Sequence, residues 1–203
     1  MSDHVRKLAE IAKKQHGISD PVWSILRKPR FLPDEHEPQY WKILTAIARS
    51  IDAEDQWEWI LAQDVADQTW EIRRVLRAKD AIFQISFDEA LFDLLSKAHP
   101  DDPEEKIQQY LAEWHQKPEN RERLLASIAG DGLKEDSIAV LALESRLDEW
   151  DILSKLNERA MYLRAVALKE IAYHREMVRV LEDTKFERLT KQRAIANSEG
   201  GVV

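Results

Sequence analysis

Apolar side chains recur three and four residues apart along two long stretches of the chain. The first row runs Leu61, Val65, Thr69, Ile72, Leu76 and Phe83, with Lys79 as its one charged interruption. The second runs Leu153, Leu156, Ala160, Leu163, Ala167, Ile171, His174, Val178 and Leu181. Steps of three and four stack side chains on one face of an α-helix. The second row persists for about four heptads, long enough for a coiled-coil-like seam.

The helix breakers agree with the rows. All seven Pro lie at or before residue 118 and the five Gly at 17, 130, 132, 200 and 201, so Gln39 to His99 and Leu133 to Glu199 contain neither. Nothing in those stretches stops a helix from propagating. Asp20-Pro21, Glu37-Pro38 and Asp102-Pro103 each set an acidic residue before a Pro, a favoured helix start. Ser86-Phe87-Asp88-Glu89 reads as a capping box and predicts a restart after Ile85. Gly130 and Gly132 are expected to end the helix begun at Pro118. The predicted helices are 3–16, 21–28, 38–51, 53–84, 87–98, 103–116, 118–129 and 134–184, the last with a bend near Arg146 to Asp148.

The expected fold is all-α, an elongated helical bundle built on two long antiparallel helices with short capping helices. At 1.5 Å per residue the 53–84 helix alone would span roughly 48 Å. Residues 1–37 would hold short helices and a Pro-rich connector, 38–184 the bundle with its long-helix hairpin, and 185–203 a basic tail expected to be flexible.

Composition narrows the chemistry. The 203 residues are 44% hydrophobic, enough for a core, and include no Cys, which excludes disulfides, thiolate metal sites and a cysteine nucleophile. Met1 to Lys14 carries charge throughout, so no secretory signal is expected, and the longest apolar run, Ile138 to Leu143, is far short of a bilayer span. The expected location is the cytoplasm, with no membrane partner.

Charge is divided unevenly. Residues 1–30 carry +4, residues 31–149 carry −14 and residues 150–203 carry +2, for a total of −8. An acidic middle between basic ends permits head-to-tail or antiparallel self-association. The basic ends also raise nucleic-acid binding as a second reading. The helix–Gly17–helix segment loosely resembles a helix-turn-helix followed by Arg27, Lys28 and Arg30, and the C-terminal run Lys185, Arg188, Lys191, Arg193 could contact phosphates. Lys13 where the motif wants a small residue, Pro21 early in the second helix and the overall negative charge oppose it.

Catalytic patterns are missing. There is no glycine-rich phosphate loop, no G-x-S-x-G and no H-E-x-x-H. The strongest acidic constellation is Asp64, Asp67 and Glu71 with Arg74 on one face of the first long helix, opposite Glu170 and His174 on the second. Carboxylate-bridged metal sites in bundles take this general form but use Glu-x-x-His, whereas Tyr173 stands three after Glu170. The simpler reading is a Glu71–Arg74 pair on a solvated face, with no metal or cofactor. His174, at a seam position, is expected to be a polar residue satisfied by a carboxylate that fixes register, with a pH-sensitive switch as the alternative.

Seven Trp are many for this length, and Trp59 and Trp70 lie off the main stripe, so they are candidates for a partner surface. The residues Leu32-Pro33-Asp34 to Pro38-x-Tyr40, with Trp70-x-x-Arg73-Arg74 on the following helix, resemble a group of all-helical bacterial proteins of unassigned function. That resemblance implies an all-α fold and no catalytic residue. In layout the chain is also similar to small phage packaging or scaffold subunits. The expectation is a non-enzymatic helical interaction protein, a homo-oligomer or the partner of another helical protein. Its interface would use Trp59, Trp70, Leu153, Leu156, Leu163, Ile171, His174, Val178 and Leu181.

Overall fold

The computed structural model describes residues 18–128 and 134–199, with side chains through residue 192. Helix 3–16, the Gly17 turn, the Gly130/Gly132 stop and the Arg193 side chain lie outside the described residues. Seven helices follow in order among the described residues: α1 Asp20–Ile25, α2 Glu37–Ser50, α3 Gln56–Ala98, α4 Glu104–Trp114, α5 Pro118–Ile128, α6 Glu135–Glu144 and α7 Leu147–Glu199. No strand occurs among them, so the fold is all-α. No helix among the described residues is long and apolar enough to cross a membrane.

Three boundaries differ from the sequence reading. The break expected after Ile85 does not form, and α3 continues for 43 residues. Ser86 is 1% exposed and donates back to the Ile82 carbonyl at 2.8 Å, a bond made inside a helix. Phe87, Leu91 and Leu95 continue the buried side of the same helix, and that burial outweighs the local capping pattern. The second long helix does part near Arg146, where Ser145 and Arg146 form a turn between α6 and α7. The tail expected to fray from 184 is helical to Glu199. At the other end, α1 stops at Ile25 because Leu26 turns extended and the buried Gln63 amide grips Arg27. Its Oε1 accepts the Arg27 N–H at 2.8 Å and its Nε2 donates to the Arg27 carbonyl at 2.6 Å.

The chain divides into two compact units, residues up to Trp70 with those from Ala160 onward, and Glu71–Arg159. Both divisions fall inside the long helices rather than at 37/38 or 184/185. In the first unit α1 and α2 pack on the start of α3 through Val22, Tyr40, Trp41, Leu44, Ala62, Ala66 and Trp70. Tyr40 and Trp70 meet edge-on at 5.9 Å between ring centres. In the same unit Leu61 and Val65 of α3 close on Ala167 and Ile171 of α7. In the second unit Phe87, Leu91 and Leu95 of α3 share a core with Ile107 and Trp114 of α4, Leu124 and Ile128 of α5, and Ile138 and Ala142 of α6.

In the first unit α3 and α7 run in opposite directions. Asp55 and Glu58 meet His174 and Arg175 while Leu61 and Val65 meet Ile171 and Ala167 in the first. In the second, Lys79 bonds Ser154 at 2.8 Å and lies 4.9 Å from the Trp150 ring centre. Lys79 thus interrupts the apolar row because its ammonium has a hydroxyl and an aromatic face to meet.

Candidate functional site

The turn between α2 and α3 is where the structure concentrates charge. Asp52 adopts φ 50°, the left-handed position that ends α2. Asp52 N–H bonds the Arg49 carbonyl at 3.1 Å and Ala53 N–H the Ala48 carbonyl at 2.9 Å, the pair of bonds of a Schellman motif. Asp55 then starts α3, its Oδ1 accepting the Glu58 N–H at 2.7 Å. Glu58 reaches back with Oε2 to accept the Glu54 N–H at 2.8 Å. Asp-x-x-Glu is a capping signature that the sequence carries openly.

Each capping carboxylate uses its second oxygen to hold α7. His174 Nε2 donates to Asp55 Oδ2 at 2.8 Å, and Arg175 Nε donates to Glu58 Oε1 at 2.6 Å. Arg175 Nη2 also donates to the Asp52 carbonyl at 3.1 Å and to that of Ile51, oxygens left unpaired by the end of α2. Two adjacent residues of α7 therefore clasp the end of one helix and the start of the next. Burial pushes the Asp55 carboxyl up, but the Glu58 N–H and then His174 outweigh it and hold the group below the usual aspartate range. For Glu58 burial again opposes, and Arg175 followed by the Glu54 N–H brings the net shift down. Hydrogen bonding to Glu58 raises Arg175 above its ordinary value.

A cavity of about 370 Å³ opens beside the clasp, lined by Asp52, Glu54, Asp55, Glu58, Val178, Arg179 and Glu182 as well as the clasping pair. Every ionised group needed to close the clasp already has a partner there. No group of three or more His, Asp or Glu among the described residues could hold a metal ion.

The metal constellation weighed from the sequence is instead spent on structure. Arg27 bonds Asp64 and lies 3.2 Å from Asp67, Tyr40 donates its hydroxyl to Asp67, and Arg74 pairs with Glu71. Burial first, then the bond to Asp67, raises the Tyr40 hydroxyl far above its usual value. Glu170 is exposed, and His174 finds its carboxylate on α3 of the same chain.

The candidate interface residues separate into two sets. Trp70 and Ile171, 5% and 4% exposed, are core residues, so neither is available to a partner. Trp59 is half-buried against the first core, and the outward Trp is Trp57, whose ring centre lies 6.5 Å from that of His174. Leu156 and Leu163 are exposed because the inward face of α7 passes through Asn157, Ala160, Arg164, Ala167 and Ile171. A step of four rather than three after Ala160 decides this. Leu153 is half-buried, while Val178 and Leu181 are exposed. Of the basic candidates, Arg27 belongs to the Asp64–Asp67 network, and Lys28, Arg30, Lys185, Arg188 and Lys191 are exposed. Sequence reasoning missed Gln63, Asp55, Glu58 and Arg175. The Asp-x-x-Glu spacing was a readable signal for two of them.

Comparison of the chain with protein-family models, curated proteins and solved structures finds no match.

Proposed function

We propose that the protein is a non-enzymatic helical interaction protein that self-associates through the part of α7 beyond the clasp. The observation that carries this reading is the exposure of every described side chain from Arg175 to Gln192, Met177, Val178, Val180, Leu181, Phe186 and Leu189 among them. A helix this poor in tertiary contacts has little to stabilise it, because packing of an apolar face rather than propensity supplies most helix stability in proteins. Covering those side chains with another helix supplies that packing. The clasp at His174 and Arg175 fixes where the covered part of α7 ends. Antiparallel pairing of the two long helices as one continuous bundle belongs to the same proposal.

Multi-angle light scattering of the whole chain across micromolar concentrations tests it. The expected mass is a multiple of 23.7 kDa, falling to one chain in a Val178→Ser/Leu181→Ser/Phe186→Ser/Leu189→Ser variant. A single chain at every concentration contradicts the reading. A second reading is favoured by Lys185, Arg188 and Lys191 standing exposed on the same helix. It makes the protein a nucleic-acid-associated accessory factor, and a salt-dependent gel shift abolished by replacing those three with Ala would support it.

A further inference from the structure

The second unit carries a groove between α3 and α4, a cavity of about 370 Å³ whose apolar lining is Ile85, Phe92 and Leu111 and whose acidic lining is Asp88, Glu89 and Asp93. Ile85 is 56% exposed within it. Asp88 is held by His115 at 3.0 Å and Glu89 by Arg146 at 3.0 Å, so both carboxylates stand in fixed positions beside the apolar floor. Residues 85–113 carry eight acidic side chains against two basic ones. An apolar floor flanked by fixed carboxylates suits an amphipathic helix whose apolar anchors are bordered by cations.

The chain itself presents such a helix. On α7, Phe186 is 72% exposed and Leu189 50% exposed. Three residues apart, they share one face, and Lys185, four residues before Leu189, borders that face. Residues 185–192 carry three basic side chains against the single acid Glu187.

We propose that the 185–192 segment of one copy docks in the Ile85–Phe92–Leu111 groove of a second copy, Phe186 and Leu189 entering the floor and Lys185 meeting the acidic rim. This rests on the self-association reading and names its surfaces. The contact joins two different patches, so it is heterologous: it closes into a ring if the rotation between copies allows and otherwise propagates into open chains. Its ionic part weakens as salt rises.

Full-length chains carrying one damaged half each provide the test. A tail variant, Phe186→Ser/Leu189→Ser, keeps its groove, and a groove variant, Ile85→Ser/Asp93→Lys, changes only exposed positions and keeps its tail. Circular dichroism of both is expected to match the parent. By light scattering each variant alone is expected to be a single chain, and their equimolar mixture a two-chain complex, since one intact groove and one intact tail remain. A groove variant that assembles like the parent overturns the docking while leaving self-association standing. A parent that is a single chain at all concentrations overturns both. A mixture that stays dissociated overturns the docking, as does loss of a nucleic-acid gel shift in the tail variant alone with assembly unchanged.

Discussion

Arg175 bonds three acceptors: Glu58 Oε1 at the start of α3 and the Ile51 and Asp52 carbonyls at the end of α2. Glu58 is 5% exposed, so removing its partner strands a charge, although the adjoining cavity lets water soften the penalty. Arg175→Ala is expected to cost about 2 kcal/mol in chemical denaturation, with Arg175→Lys recovering part of it. The depressed Asp55 and Glu58 carboxyls set the sign of the acid response. Unfolded chains bind these protons more readily, so the contribution is complete above about pH 5 and is lost as pH falls through the lowered folded values, below about pH 4. Denaturation midpoints at pH 7 and pH 3 should differ less in an Asp55→Asn/Glu58→Gln variant than in the parent. The raised Tyr40 hydroxyl acts at the other limit, its contribution being present below about pH 10 and lost above it.

Ser86 and Ala167 are where the long helices test the account. Were Ser86 a cap, Ser86→Ala would cost about 1 kcal/mol; bonded back to Ile82 inside α3, it is expected to change stability by less than about 0.5 kcal/mol. Ala167 is 7% exposed where α7 meets Leu61 and Val65, so Ala167→Leu is expected to overpack that contact and cost about 1–3 kcal/mol. Leu163→Ala, on an exposed position, should cost well under half of that. Thermal or denaturant unfolding of the two variants side by side checks which face of α7 is inside. The helices themselves were legible because breaker-free stretches with apolar spacing leave few alternatives. The face of α7 was not, since leucines and alanines alternate around it, and only the approach of α3 selects Ala160 and Ala167 over Leu156 and Leu163. The break after Ile85 misled for a related reason: a local capping pattern cannot register the burial of Phe87, Leu91 and Leu95.

At the scale of the whole molecule, the acidic middle and basic end could be read from charge alone, but their chemical use could not. Asp64, Asp67 and Glu71 looked like a constellation because spacing shows which side chains share a face and not which distant cation will claim them; Arg27, 37 residues from Asp64, is not visible in any local pattern. The clasp was half visible, in Asp-x-x-Glu, and half hidden, in the pairing across 117 residues of Glu58 with Arg175. What stays unclaimed is the apolar side of α7 beyond that clasp, and self-association through it is the central claim. Amide hydrogen exchange of the full chain, followed at low and high micromolar concentration, tests it most directly. Amides of 176–192 are expected to gain protection as concentration rises while those around Leu61 and Ile171 do not change. Exchange of 176–192 at the same rate across the whole series would contradict it.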